Sequence, residues 1–259
     1  MLSGAHVHNA ARMRKGHRPS SPAGNRPRFW GRHAVSAALA NPARTVRRVW
    51  GTREALAAFG AFPAELPVTY ADVADLGRLV PQDAPHQGVV IEVDPLPDIW
   101  LGDLLEQGAG DQRPLLVLDQ VTDPHNVGAV LRSAAAFDAV GLVTQDRHAP
   151  PESGALARAA SGALEVVPWV RVVNLARALG EIAEAGFWRV GLTGSGKRTL
   201  AEAIGTARVA LVLGAEGEGM RQNTETHCDE LARLPISPKV ESLNVSNAAA
   251  IALYAVATR

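Results

Sequence analysis

The sequence predicts an α/β chain in which a C-terminal parallel sheet follows a smaller N-terminal α/β unit. Three observations predict it. Beyond residue 113, short apolar runs recur at 114–118, 139–144, 164–167, 189–193, 209–213 and 231–235; strands of a parallel sheet are covered on both faces and so read as continuous apolar stretches. Between those runs, 127–137, 175–185 and 246–257 space their apolar residues at the helical period. A chain of 259 residues, 47% of them hydrophobic, is also large enough to bury two modest cores.

Taken in order, residues 1–27 mix Arg, His, Gly, Pro, Ser and Asn with almost no apolar periodicity and read as a disordered basic tail. Residues 28–95 form the first unit. A helix is predicted over 33–40, a strand over 45–50, a helix over 53–59, a short strand over 67–70, a helix over 72–79 and a strand over 88–93. Asp94-Pro95-Leu96-Pro97 breaks this alternation, and a helix-like stretch at 99–106 leads into Gly108, Gly110 and Asp111-Gln112-Arg113. Residues 96–112 are therefore read as the interdomain linker, and 113–259 as the second domain.

The formal net charge of +0 hides an asymmetry: residues 1–53 carry eleven Lys or Arg and no Asp or Glu, leaving 15 basic against 26 acidic residues in the remainder. The split suggests a basic arm for a polyanion joined to a body without that affinity, although a solvated tail alone accounts for residues 1–27. The single cysteine, Cys228, cannot close an internal disulfide, and no signal-like start or apolar run of roughly 20 residues is present. A cytoplasmic chain with no membrane partner is the expectation. His125, His148 and His227 share no ligand spacing with Cys228, so no metal site is expected, and Cys228 reads as a small buried residue rather than a nucleophile.

Three loops behind predicted strands hold the candidate chemistry, because open α/β sheets bind ligands beyond the C-terminal ends of their strands. The first, Asp123-Pro-His-Asn126-Val-Gly128-Ala-Val-Leu-Arg132, enters a helix on which Gly128 and Arg132 share a face. Asn126 at its cap and Arg132 can point into one crevice; equally, Asn126 can be only a cap and Arg132 a surface cation. The second, Gly214-Ala-Glu216-Gly217-Glu-Gly219-Met220, has more glycines than a plain turn needs, as if wrapped closely around a small molecule. The third, Ser237 to Asn247, opens the last helix with Ser242, Asn244 and Ser246, more hydrogen-bonding capacity than one cap uses.

Two other patterns fail on inspection. Gly191-Leu-Thr-Gly-Ser-Gly196-Lys197-Arg198 nearly matches a phosphate loop, but the hydroxyl that should follow the lysine arrives one place late, at Thr199. No strand-loop-helix G-x-G-x-x-G occurs, so an ordinary Rossmann site is unsupported.

In order and position, the three loops resemble the three motifs of the SpoU, or TrmH-like, branch of the SPOUT superfamily of RNA ribose 2′-O-methyltransferases. Asn126, Gly128, Arg132 and Phe137 resemble motif one; Gly214, Glu216, Gly217 and Gly219 motif two; Ser242, Leu243, Asn244, Val245, Ser246 and Ala248 motif three. The resemblance covers 114–259 closely, and 29–93 looks like the ribosomal-protein-L30-like substrate-binding domain of the ribosomal RNA guanosine members. Asp138, where the family usually has glycine, and Asn247, where many members have a small apolar residue, depart from it.

The resemblance implies a deep trefoil knot near 190–259, a rare exception to the rule against threaded chains, and a homodimer with sites completed at its interface. It implies methyl transfer from S-adenosylmethionine to a ribose 2′-hydroxyl, of guanosine in the 23S ribosomal RNA. The cofactor would be held by Thr193, Gly194, Gly214, Leu234, Leu243 and Val245, with Leu234 and Leu243 flanking the adenine. Arg132 would be catalytic, with Asn126, Glu216, Ser242 and Asn244 orienting it and the ribose. The family's arginine is described as the base, but a guanidinium with a pKa above about 12 is rarely neutral. A clamp on phosphate and developing oxyanion, with the proton lost to water or a neighbouring group, is chemically preferable. Arg28, Arg32, Arg44, Arg47 and Arg48 would bind the RNA backbone. Two alternatives stay open: a transfer-RNA ribose methyltransferase, and an inactive RNA-binding ribosome-assembly factor.

Overall fold

The computed structural model describes residues 26–107 and 109–259, so all but the end of the basic tail read over 1–27 lies outside the described residues. The N-terminal unit contains β1 (Arg28–Trp30), α1 (Arg32–Ala40), β2 (Val46–Gly51), α2 (Arg53–Ala57), β3 (Val68–Tyr70), α3 (Val73–Gly77) and β4 (Val89–Val93). Its sheet runs β1-β4-β2-β3, with β4 antiparallel to both neighbours and β3 parallel to β2. Thr52 and Asp72 start α2 and α3 by accepting the amides of Ala55 and Asp75.

The C-terminal part comprises α4 (Leu101–Gln107), β5 (Leu115–Leu118), α5 (Pro124–Ala136), β6 (Gly141–Gln145), α6 (Gly154–Ala160), β7 (Trp169–Val172), α7 (Leu175–Glu184), β8 (Trp188–Leu192), β9 (Arg198–Thr199), α8 (Leu200–Ile204), β10 (Val209–Leu213), α9 (Gln222–Glu225), β11 (Glu230–Arg233) and α10 (Val245–Ala257). Its seven strands are all parallel, in the order β7-β6-β5-β10-β8-β11-β9. The expected buried parallel sheet is present. Alternate residues of β10 face opposite ways: Val209, Leu211 and Leu213 pack with α5, α8 and α10, while Ala210 and Val212 pack with α4 and α7. In the sheet, β11 lies between β8 and β9, two strands that are consecutive in the chain.

Three expectations are corrected. The run at 164–167 is no strand: Ser161 and Gly162 take left-handed conformations, a 3-10 turn follows at Ala163–Glu165, and the strand begins only after Pro168. Leu164 and Val167 are buried, so their apolar character marks the core and not a strand. The preceding helix α6, short and alanine-rich, carries too little periodicity to stand out. The linker read over 96–112 is no free connection: its expected helix-like stretch is present as α4, and Leu101, Leu104 and Leu105 bury it against the sheet.

The third correction is Arg44, expected on an RNA-binding surface. Its side chain is fully buried, bound to Glu152 at 2.6 Å and doubly to Glu165, with Nη1 also donating to the Asp94 carbonyl. These carboxylates flank α6, so the arginine joins the two units from within. Phe29, Val35, Val49 and Ile91 share one apolar core with Leu156, Ala157 and Ala160 of α6. A β-carbon on Gly154 would lie 1.9 Å from the Trp30 ring, and so only glycine fits that contact.

The departure at Asp138 also has a physical reason. This residue follows the end of α5 with φ of 50°, in the left-handed region that glycine enters without a side-chain clash and aspartate tolerates. Its 3.5 Å pairing with Arg113 is exposed and contributes little. Asp138→Gly is expected to stabilise the fold by about 0.5 kcal/mol, read as a higher urea midpoint; a lower midpoint would contradict this account.

Candidate active site

Because all seven strands are parallel, the loops after β5, β8, β10 and β11 leave the sheet along one edge, and these four strands lie together in it. Helix α5 begins earlier than the periodicity predicts. Asp123 accepts the His125 amide as its cap and Pro124 occupies the first turn. Asn126 is therefore not a cap, and its side chain is released for other partners.

Those partners come from the other two loops. Asn126 Nδ2 donates to Glu216 Oε1 at 3.0 Å, and Asn244 Nδ2 donates to Asn126 Oδ1 at 2.9 Å and to Glu216 Oε1 at 2.5 Å. The Val245 amide donates to the same carboxylate oxygen at 3.3 Å. One acceptor thus gathers three N–H groups, a set that suits an ionised carboxylate. Asn244 also caps α10, its Oδ1 accepting the amides of Ser246 and Asn247 and the Ser246 hydroxyl. One side chain of the third loop is both helix cap and member of the trio.

The glycines work differently from the expectation. A β-carbon on Gly214 would come within 2.0–2.3 Å of the Gly219 and Met220 backbone, so the loop closes on itself there. Ala215 and Gly219 exchange backbone hydrogen bonds at 3.1 and 2.9 Å, and Gly217 and Gly219 have positive φ. The loop's own turn accounts for all three glycines; its product is a fixed Glu216. Gly128 likewise serves packing, since a β-carbon would sit 2.5 Å from the Leu156 carbonyl of α6.

The other expected residues do not join the trio. Arg132 and Ser242 are exposed and form no hydrogen bond or ion pair among the described residues. Thr193 and Gly194 lie in the loop after β8, where the Thr193 hydroxyl meets that of Ser195 at 3.1 Å. Nothing stands within 4 Å of a β-carbon on Gly194, so there is space beside that residue, whereas the Thr193 amide donates to the Ala232 carbonyl and the Thr193 carbonyl accepts the Gly196 amide. Leu234, after β11, and Leu243, before α10, are half-buried. Val245 turns its side chain into the core, leaving only its amide at the edge. The phosphate-loop likeness dissolves as its chemistry predicts: Thr199 forms a capping box with Glu202.

On the N-terminal sheet, Arg28 and Arg48 lie 5.7 and 5.5 Å over the Trp50 ring, and Arg32 is exposed. Arg47 binds Asp94, and its hydrogen bond, assisted by Arg26, holds that carboxyl below its usual range. Any phosphate must compete with Asp94 for Arg47. Burial pushes the Cys228 thiol up to about 12, consistent with an inert packing residue. Among the described residues, no group of three or more His, Cys, Asp or Glu is placed to hold a metal ion, and no helix is long and apolar enough to cross a membrane.

Sequence reasoning missed Asp119 and Arg221. Asp119 ends β5 fully buried, and Arg221 binds it through both backbone and guanidinium. The available signal was a carboxylate directly after the apolar run Leu115-Leu116-Val117-Leu118.

Comparison with known proteins matches this division of the chain. The SpoU rRNA Methylase family matches residues 113–254, and the RNA 2'-O ribose methyltransferase substrate binding family matches 29–98. The chain is 38% identical over 239 residues to the 23S rRNA (guanosine-2'-O-)-methyltransferase RlmB of Pseudomonas aeruginosa, covering 88% of this chain and 95% of that protein. It is 38% identical over 236 residues to an uncharacterized tRNA/rRNA methyltransferase of Synechocystis, covering 88% of this chain and 61% of that longer relative. The crystal structure of the SpoU methyltransferase AviRb from Streptomyces viridochromogenes superposes with a TM-score of 0.74 at 23% identity, over 90% of this chain and 89% of that one. Its complex with the cofactor AdoMet gives 0.71 at 23% identity, over 89% of each chain. Both are likenesses of fold.

Proposed function

Since the chain belongs to the SpoU rRNA methylase family, we propose that it transfers a methyl group from S-adenosylmethionine to the ribose 2′-hydroxyl of a guanosine in 23S ribosomal RNA, in the cytoplasm. The observation that carries this reading is the meeting of Asn126, Glu216 and Asn244, one from each of three loops, at one edge of the sheet. The relatives' printed activity supplies the nucleoside and the RNA.

The edge fits such a cofactor. The space beside Gly194, the Thr193 hydroxyl and half-buried Leu234 and Leu243 would hold its amino-acid and adenine parts. When bound, it supplies an electrophilic methyl group. The chain's own residues must then align a ribose oxygen and favour loss of its proton, and alignment alone contributes several kcal/mol, of order 7 at best. We assign Arg132 to the target phosphate and the developing oxyanion, with Ser242 beside it and the proton leaving to water. Asn126, Glu216 and Asn244 set the register of the three loops against one another. Domains at 28–95 and 113–259 divide RNA binding from chemistry, with Arg28, Arg32, Arg47 and Arg48 contacting the RNA backbone.

A trefoil knot is part of this reading, supported by the insertion of β11 between β8 and β9. So is a homodimer, supported by exposed Ile236, Val240, Ile251 and Tyr254 on α10 and the loop before it. Incubating the chain with methyl-labelled donor and 23S RNA, then digesting to nucleosides, should yield labelled 2′-O-methylguanosine. Label on a base, or only on transfer RNA, would overturn the assignment.

A further inference from the structure

We propose that Asp119 and Arg221 form a positioning clamp that sets the separation of the loops carrying Asn126 and Glu216. The proposal rests on the methyl-transfer reading above and deepens it. Neither residue lies in the three motifs. Asp119 is fully buried at the end of β5, and its amide donates to the Leu213 carbonyl at the end of β10, 2.8 Å away. Its carboxylate accepts the Arg221 amide at 2.9 Å, Nε at 2.9 Å and Nη2 at 2.6 Å. A buried carboxylate needs such compensation, and charge-assisted, forked contacts fix direction as well as distance.

The clamp reaches further along the edge. Arg221 Nη2 donates to Gln145 Oε1 at 2.6 Å, and Gln145 Nε2 donates to the Val173 carbonyl at 3.0 Å, so one chain of bonds links the C-terminal ends of β10, β5, β6 and β7. Immediately after Asp119, Gln120 takes a φ of 60°, a conformation that a non-glycine residue keeps only where its surroundings hold it.

A plain structural ion pair would show the same contacts, and the location decides between the two. Asn126 lies seven residues after Asp119, and Glu216 five before Arg221. The trio's side-chain hydrogen bonds are exposed, so water competes with them and each contributes only about 1 kcal/mol. They register the loops but cannot hold them against thermal motion. The buried anchor at the root of both loops can.

The test uses the full chain with Arg221→Lys, which keeps the charge and loses the fork, and Arg221→Met, which loses both. Methyl transfer is measured well below each variant's unfolding temperature, together with amide exchange at Gly219 and Val245. The clamp predicts that both variants lower kcat per folded molecule by about 10- to 100-fold, with donor Kd changed less than about threefold. Faster exchange at Gly219 and Val245 should accompany the loss. Wild-type kcat in Arg221→Lys, or unchanged exchange in both variants, would overturn it. If the wild-type chain itself transfers no methyl group to RNA, the proposed activity fails separately and the exchange result alone decides the clamp.

Discussion

Arg132→Ala is expected to lower methyl transfer by about 10²- to 10³-fold while leaving donor affinity unchanged. The size follows from removing one preorganised charge aimed at a developing oxyanion, which costs about 3–4 kcal/mol of transition-state stabilisation. The sparing of the donor follows from position. Arg132 stands on α5, exposed and without a hydrogen bond or ion pair among the described residues, whereas the residues proposed to hold the donor follow β8 and β11. Most other arginines of the proposed machinery have a protein partner: Arg221 has Asp119, Arg47 has Asp94, and Arg28 and Arg48 share Trp50. Single-turnover rates at saturating donor, paired with calorimetric titration of the donor, separate the two effects. A variant that turns over at the wild-type rate removes Arg132 from the mechanism; one that loses donor binding relocates its role. Arg132→Lys should recover only part of the rate, because an ammonium cannot grip phosphate with two parallel N–H groups.

Arg44→Ala should cost about 3–5 kcal/mol of stability, the penalty for stranding buried charge. Glu165 keeps only 4% of its side chain exposed and Glu152 12%, so neither can turn to water when the guanidinium is removed. The Asn41 side chain, which donates to Glu165 at 2.8 Å, compensates only in part. Urea unfolding followed by tryptophan fluorescence reads the loss as a lower midpoint. Because Trp30 packs on Gly154 across the boundary, separation of the two units before global unfolding would appear as an early fluorescence phase. Replacing Arg44, Glu152 and Glu165 together by apolar residues of similar size should restore much of the stability. A single Arg44→Ala chain as stable as the parent would exclude a structural role for the cluster.

The contrast between these two arginines bounds what the sequence made legible. The parallel sheet was readable because its strands are covered on both faces, and apolar continuity is a local signal. The trio was readable as three polar loops behind strands, although not that Asn126 is freed by Asp123 capping the helix in its place. Arg44 was misjudged because its neighbours in sequence, Arg47 and Arg48, are surface residues, while its partners lie 108 and 121 residues away. Glycine count is ambiguous: the turn's own backbone requires Gly214, and composition alone does not distinguish that requirement from a bound molecule. The run at 164–167 was apolar for burial, and only the left-handed residues before it reveal that it cannot extend.

The slot filled by β11 has a consequence for biosynthesis. Until translation has delivered the segment from Glu230 on, β8 and β9 have no partner between them and Asn126 and Glu216 have no Asn244 to join. A fragment that stops before Glu230 therefore lacks both the strand between β8 and β9 and the third member of the trio.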